Sequence, residues 1–118
     1  MPARLNYVEL PVGDTASSKA FFEMAFGWTL TAFGSDYAAT LGAGAGGTAD
    51  IGLNGDTAHA TSAPLAVIET DDLEGALASV EAAGGAITMP IFAFPGGRRF
   101  HFREPSGNEL AVYVNEPG

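Results

Sequence analysis

The chain has 118 residues, 47% of them apolar and 16% charged, which is the balance of one globular domain rather than of a disordered segment. A net charge of −9 argues against nucleic acid and anionic membrane surfaces as partners, because both select basic footprints. Cysteine is absent, which removes disulfides, thiolate metal sites and cysteine nucleophiles from consideration.

The opening "MPARLNYVEL" has no signal-like apolar stretch, and no run approaches the length of a spanning helix, so the sequence reads as a cytoplasmic protein. Residues 5–12 alternate as a half-buried strand, with Val8, Leu10 and Val12 on one face and Tyr7 and Glu9 on the other. Asp14 stands where a helix N-cap belongs. Ala16, Ala20, Phe21, Met24 and Ala25 then recur at helical spacing, Phe21, Phe22 and Phe26 read as helix core or dimer contacts, and Gly27 supplies the stop. Shorter strand-like runs come next at 29–33, 37–41 and 49–53. The "GAGAGG" of 42–47 fits the dinucleotide fingerprint in spelling, but the segment "TADIGLNGD" after it is too short and turn-rich for the helix that motif must open, so it reads as a loop.

After the polar stretch 54–63, which contains His59, the same grammar returns. "LAVIET" (65–70) is a strand, Asp71 or Asp72 a cap, Leu73, Ala76, Leu77 and Val80 a helix stripe, and Gly84 and Gly85 its end. Runs at 86–92, 98–104 and 109–114 complete the second half, and "FPGGRR" (94–99) reads as a turn. Asp72 stands 58 residues after Asp14, about half the chain. The pattern is an internal repeat of a βαβββ module. The expectation is therefore a single α+β domain over 1–118, with module one at about 4–53, a linker at 54–63 and module two at about 64–114. Its two modules form an open, curved mixed sheet around a cleft, with the helices on the outer face.

Three of the five Lys/Arg residues (Arg98, Arg99 and Arg103) and one of the two histidines, His101, lie within 96–113. Alternation puts Phe100 and Phe102 under the helix and turns Arg99, His101 and Arg103 to the opposite face, with Glu109, Ala111 and Tyr113 of the last strand. Three readings of that face stay open. It is a solvated or dimer-facing surface of Arg–Glu pairs. Or it is a polar pocket in which Tyr7, Glu9, Arg99, His101, Arg103, Glu109 and Tyr113 hold a small anionic or oxygen-rich ligand. Or Glu9, His101 and Glu109 form a divalent metal site. No nucleophile motif surrounds any serine.

The repeated module, the opening "YVELPVGDTASSKAFFEMAFGW" and the turn-and-strand "FREPSGNELAVYV" together resemble the glyoxalase/bleomycin-resistance/extradiol-dioxygenase (vicinal oxygen chelate) superfamily, over essentially the whole chain. The resemblance implies two modules around a cleft, a homodimer, and, in catalytic members, a divalent metal on side chains of the first, fourth, fifth and eighth strands. Those positions fall on Tyr7, Leu65, Ala111 and a place near Ile51 to Leu53, which lack the usual ligand types. The implied protein is a small-molecule binder without the usual metal site. A lyase, isomerase or dioxygenase-type enzyme, using His101 or Glu9 as acid/base or a displaced metal, is the alternative, and a non-catalytic interaction domain the third. No cofactor is predicted, and whether the chain is an enzyme stays open.

Overall fold

A computed structural model describes residues 3–40, 50–56, 58, 61–94 and 96–116; His59 and the 42–47 glycine loop lie outside them. Along the chain run β1 (Ala3–Pro11), α1 (Thr15–Phe26), β2 (Thr31–Ala32), β3 (Tyr37–Ala39), β4 (Asp50–Asn54), β5 (Leu65–Thr70), α2 (Leu73–Ala82), β6 (Ala86–Phe94), β7 (Gly97–Arg103) and β8 (Glu109–Asn115). This is the expected α+β order, a βαβββ module twice.

The chain divides into two compact units, one spanning Tyr7–Leu65 and the other joining the residues up to Asn6 with those from Ala66 onward. In the first, the strand order is β2-β3-β4-β1, with β4 parallel to β1 and antiparallel to β3. In the second it is β5-β8-β7-β6, with β8 parallel to β5 and antiparallel to β7. Each unit is thus an open mixed sheet.

Both helices begin as the sequence predicts. The Asp14 carboxylate accepts from the Ser17 amide and hydroxyl, and those hydrogen bonds hold it below the usual carboxylate range. The Asp72 carboxylate accepts from the Gly75 amide at 3.0 Å. Gly27 closes α1 in the left-handed conformation (φ 71°), which a side chain would strain. The "EPSGN" turn has an equally local cause. The Glu104 carboxylate accepts from the Ser106 and Asn108 amides and the Asn108 side chain, aiming β8 back along β7.

Helix α2 covers its sheet as alternation requires: Leu73 and Ala76 pack with Phe100, Phe102 and Val112. The core of the first unit is smaller, with Leu30, Ala38 and Leu53 joined by Leu10, Val12 and Phe22. Part of the apolar pattern lies outside these cores. Val8 is 40% exposed, and on α1 Phe21 (59%) and Met24 (87%) face out, while Phe22 is the side chain that packs inward. A helical stripe gives spacing but not which stripe has a partner. On α1 the inward face carries Ser18, Lys19, Phe22 and Glu23, with Lys19 and Glu23 paired at 3.3 Å.

Candidate functional site

Within each unit, register places the non-helical sheet face. In the first, Ala39 pairs with Gly52 and Tyr37 with Asn54. In the second, His101 pairs with Ala111 and Arg99 with Tyr113. Since Glu9 opposite Gly52 corresponds to Val67 opposite Ala111, Tyr37 and Arg99 occupy equivalent positions of the repeat, as do Asn54 and Tyr113. Each module therefore sets its large polar groups at the same two places.

In the first unit the centre is Glu9, 3% exposed. One carboxylate oxygen accepts from the Tyr37 hydroxyl at 2.9 Å and the other from the Asn54 amide at 3.3 Å. Gly52 makes this arrangement fit: a Cβ there would stand 2.3 Å from the Tyr37 hydroxyl oxygen. Burial pushes the Tyr37 phenol far above its ordinary value of 10.0, and neighbouring Tyr7 and Glu9 push the same way. A folded-state value above the unfolded one contributes stability that is present below pH 10 and lost as pH rises past it. We expect a phenolate absorbance titration to show Tyr37 un-ionised while the protein stays folded, with Tyr37→Phe flattening the alkaline loss of stability.

In the second unit Arg99 is 4% exposed and His101 0%. These two side chains are therefore buried rather than solvated. The Arg99 guanidinium lies 5.3 Å from the ring centres of both Phe92 and Phe94. Phe92 lies 5.8 Å from the His101 ring, and Phe94 6.1 Å from Tyr113. The Tyr113 hydroxyl donates to Asn6 at 2.9 Å and lies 3.3 Å from Glu69, to which Arg4 also donates. His101 Nδ1 faces Glu109 at 3.2 Å, and the same carboxylate oxygen accepts from Thr88.

Arg103, grouped with Arg99 by alternation, has a half-exposed side chain. It donates to the Gly107 carbonyl and sits 3.9 Å from Glu109, at the turn. Arg98, on the opposite face, makes a two-point contact to Glu116 and another to Glu74, and holds both carboxylates below their ordinary range.

Phe92, Phe94, Tyr37 and Asn54 are not among the residues that the sequence singles out. The first two lie beyond register shifts on β6: two residues from Ile87 to Met89 oppose one step on β7, and three from Met89 to Phe92 oppose two. The two shifts cancel in parity, so Ile87 and Ile91 pack on the helix side while Phe92 and Phe94 meet Arg99 on the other, as a period of two gives. Alternation from Ile87 is the available signal for their face, and Pro90, which cannot donate to a ladder, lies within the shifted stretch.

The superfamily's metal positions do not fit a metal here. Leu65 and Ala111 are buried hydrocarbon, Gly52 has no side chain, and Tyr7 lies against the Tyr37 cluster. Among the described residues, no group of three or more His, Cys, Asp or Glu side chains is placed to hold a metal ion. Of the alternative set, His101 and Glu109 pair with each other, and Glu9 is engaged by Tyr37 and Asn54.

A family model for the Glyoxalase/Bleomycin resistance protein/Dioxygenase superfamily matches residues 4–112. No curated protein matches the chain. Among solved structures, it superposes on a Legionella pneumophila protein described as an NAD-dependent benzaldehyde dehydrogenase, with TM-score 0.77 and 13% identity over 98% of this chain and 100% of that one. It also superposes on the Mn(II)-bound glyoxalase of Novosphingobium aromaticivorans, with TM-score 0.68 and 23% identity over 98% of this chain but 41% of that one. Methylmalonyl-CoA epimerase from Mycobacterium tuberculosis gives TM-score 0.71 and 13% identity over 96% of this chain and 88% of that one. At these identities the structures speak for the fold, and the family model agrees with them over nearly the whole length: the chain belongs to the glyoxalase/bleomycin resistance protein/dioxygenase superfamily.

Proposed function

We propose that this protein binds a small anionic, oxygen-rich molecule on the polar sheet face of its second module, with Arg99 as the anion-recognising group and His101 and Tyr113 beside it. The observation that carries this reading is the buried guanidinium set against two phenylalanine rings. A planar fork of N–H donors in a low-dielectric, aromatic setting is suited to a carboxylate or phosphate. Calorimetric titration with a panel of small carboxylates and phosphates tests it. At least one should bind the wild-type protein in a one-to-one ratio, and a panel that gives no heat and no thermal stabilisation would sink the proposal.

A second reading is acid/base catalysis by His101. The supporting feature is the 3.2 Å approach of Nδ1 to Glu109, a carboxylate itself oriented by Thr88. It predicts turnover that disappears in His101→Gln while binding of the ligand persists.

The proposal includes a cytoplasmic homodimer. Among the described residues no helix is long and apolar enough to cross a membrane. The outward face of α1 (Ala16, Ala20, Phe21, Met24 and Ala25) carries no ionisable group, so a second copy of a chain with net charge −9 meets no repulsion there. We expect sedimentation to report twice the chain mass, and Met24→Glu to halve it. An unchanged mass in the variant would remove α1 from the interface.

A further inference from the structure

The second module carries more than an isolated arginine. Its polar face holds a continuous row of planar groups in the order His101, Phe92, Arg99, Phe94 and Tyr113. Successive separations are 5.8, 5.3, 5.3 and 6.1 Å. The row crosses all three antiparallel strands β6, β7 and β8. The guanidinium stands at its centre with ring systems on either side along the row.

Arg99 and His101 are buried, whereas Phe92, Phe94 and Tyr113 keep part of their surface open. Ring area is thus left for a bound molecule to cover. The two β6 register shifts cancel in parity, so Phe92 and Phe94 stay on the face opposite Ile87 and Ile91 and supply this wall. A simple inorganic anion needs the arginine but has no use for four aromatic or imidazole rings around it. A planar conjugated acid uses both: its carboxylate meets the guanidinium edge, and its ring packs offset or edge-on against its neighbours.

Resting on the anion-binding reading above, we propose that the ligand is a planar aromatic or conjugated carboxylate rather than an aliphatic acid or phosphate. Benzoate and cyclohexanecarboxylate separate the cases, being alike in charge and close in size but different in planarity and π character. Titrated calorimetrically into the wild-type protein, benzoate should bind about threefold to tenfold more tightly, the range expected of one favourable aromatic contact. Phe94→Leu should cut that preference to near unity.

The wild-type comparison decides even if the variant misfolds. Equal affinity for the two acids, or tighter binding of acetate or inorganic phosphate than of benzoate, overturns the aromatic inference and leaves the anion reading standing. Failure of every anion overturns both.

Discussion

Replacing Arg99 by methionine is expected to weaken anion binding by about tenfold to 150-fold, the loss of one hydrogen-bonded charge contact of about 1.5–3 kcal/mol. The same substitution removes the cation from between Phe92 and Phe94, which lie 5.3 Å from it. Methionine keeps a flexible apolar chain against those rings, so the packing loss is smaller than alanine would cause. Arg99→Lys should fall between the two, because an ammonium retains the charge but not the planar, two-point donor edge.

Arg98→Met is the control. It lies on the same strand but faces away, held by Glu74 and Glu116, and should alter stability slightly without touching affinity. Measured with one carboxylate in all four proteins, affinity should fall in the order wild type or Arg98→Met, Arg99→Lys, Arg99→Met. An unchanged dissociation constant in a folded Arg99→Met protein would show that Arg99 is a packing residue.

The second large effect belongs to Gly52. An alanine Cβ there would stand 2.3 Å from the Tyr37 hydroxyl oxygen and 3.1 Å from its ring carbon. Tyr37 must then withdraw from Glu9, and the strand partner Asn54 shares the disturbance. Overpacking of this kind costs about 1–3 kcal/mol. Loss of a donor to a buried carboxylate adds to it. The diagnostic is non-additivity: in a Tyr37→Phe background the offending oxygen is gone, so Gly52→Ala should cost less than in wild type, by about 0.5–3 kcal/mol. Urea unfolding of the four proteins measures this. Strict additivity would mean the glycine is there for some reason other than the tyrosine.

The fold is largely legible in the sequence because its signals are local. Alternation in "LNYVELPV", the caps Asp14 and Asp72, Gly27, and the carboxylate-closed "EPSGN" turn each act within a few residues. The polar face of each unit is legible in part for the same reason: Glu9 in one, and Arg99 and His101 in the other, are placed by a period of two and are among the buried polar groups. The illegible remainder depends on distant partners. Phe21 and Met24 fit a helical stripe, but only the packed structure shows that Phe22 faces the sheet. Val8 alternates correctly and still lies exposed. Phe94 falls in a segment that reads as a turn, and Phe92 closes a run, 86–92, whose two faces the sequence reading does not sort. Tyr37 and Asn54 join Glu9 from residues 28 and 45 positions away, with no local pattern announcing them.

The central claim is that the Arg99 guanidinium receives the anion, and nuclear magnetic resonance of the arginine side chains tests it most directly. The chain has four arginines (Arg4, Arg98, Arg99 and Arg103), so their Nε–H signals are few enough to assign by single substitutions. Titration with benzoate should shift the Arg99 signal saturably, with the same dissociation constant as calorimetry, and leave Arg4 and Arg98 in place. Saturable binding that moves another arginine, or none, would contradict the account.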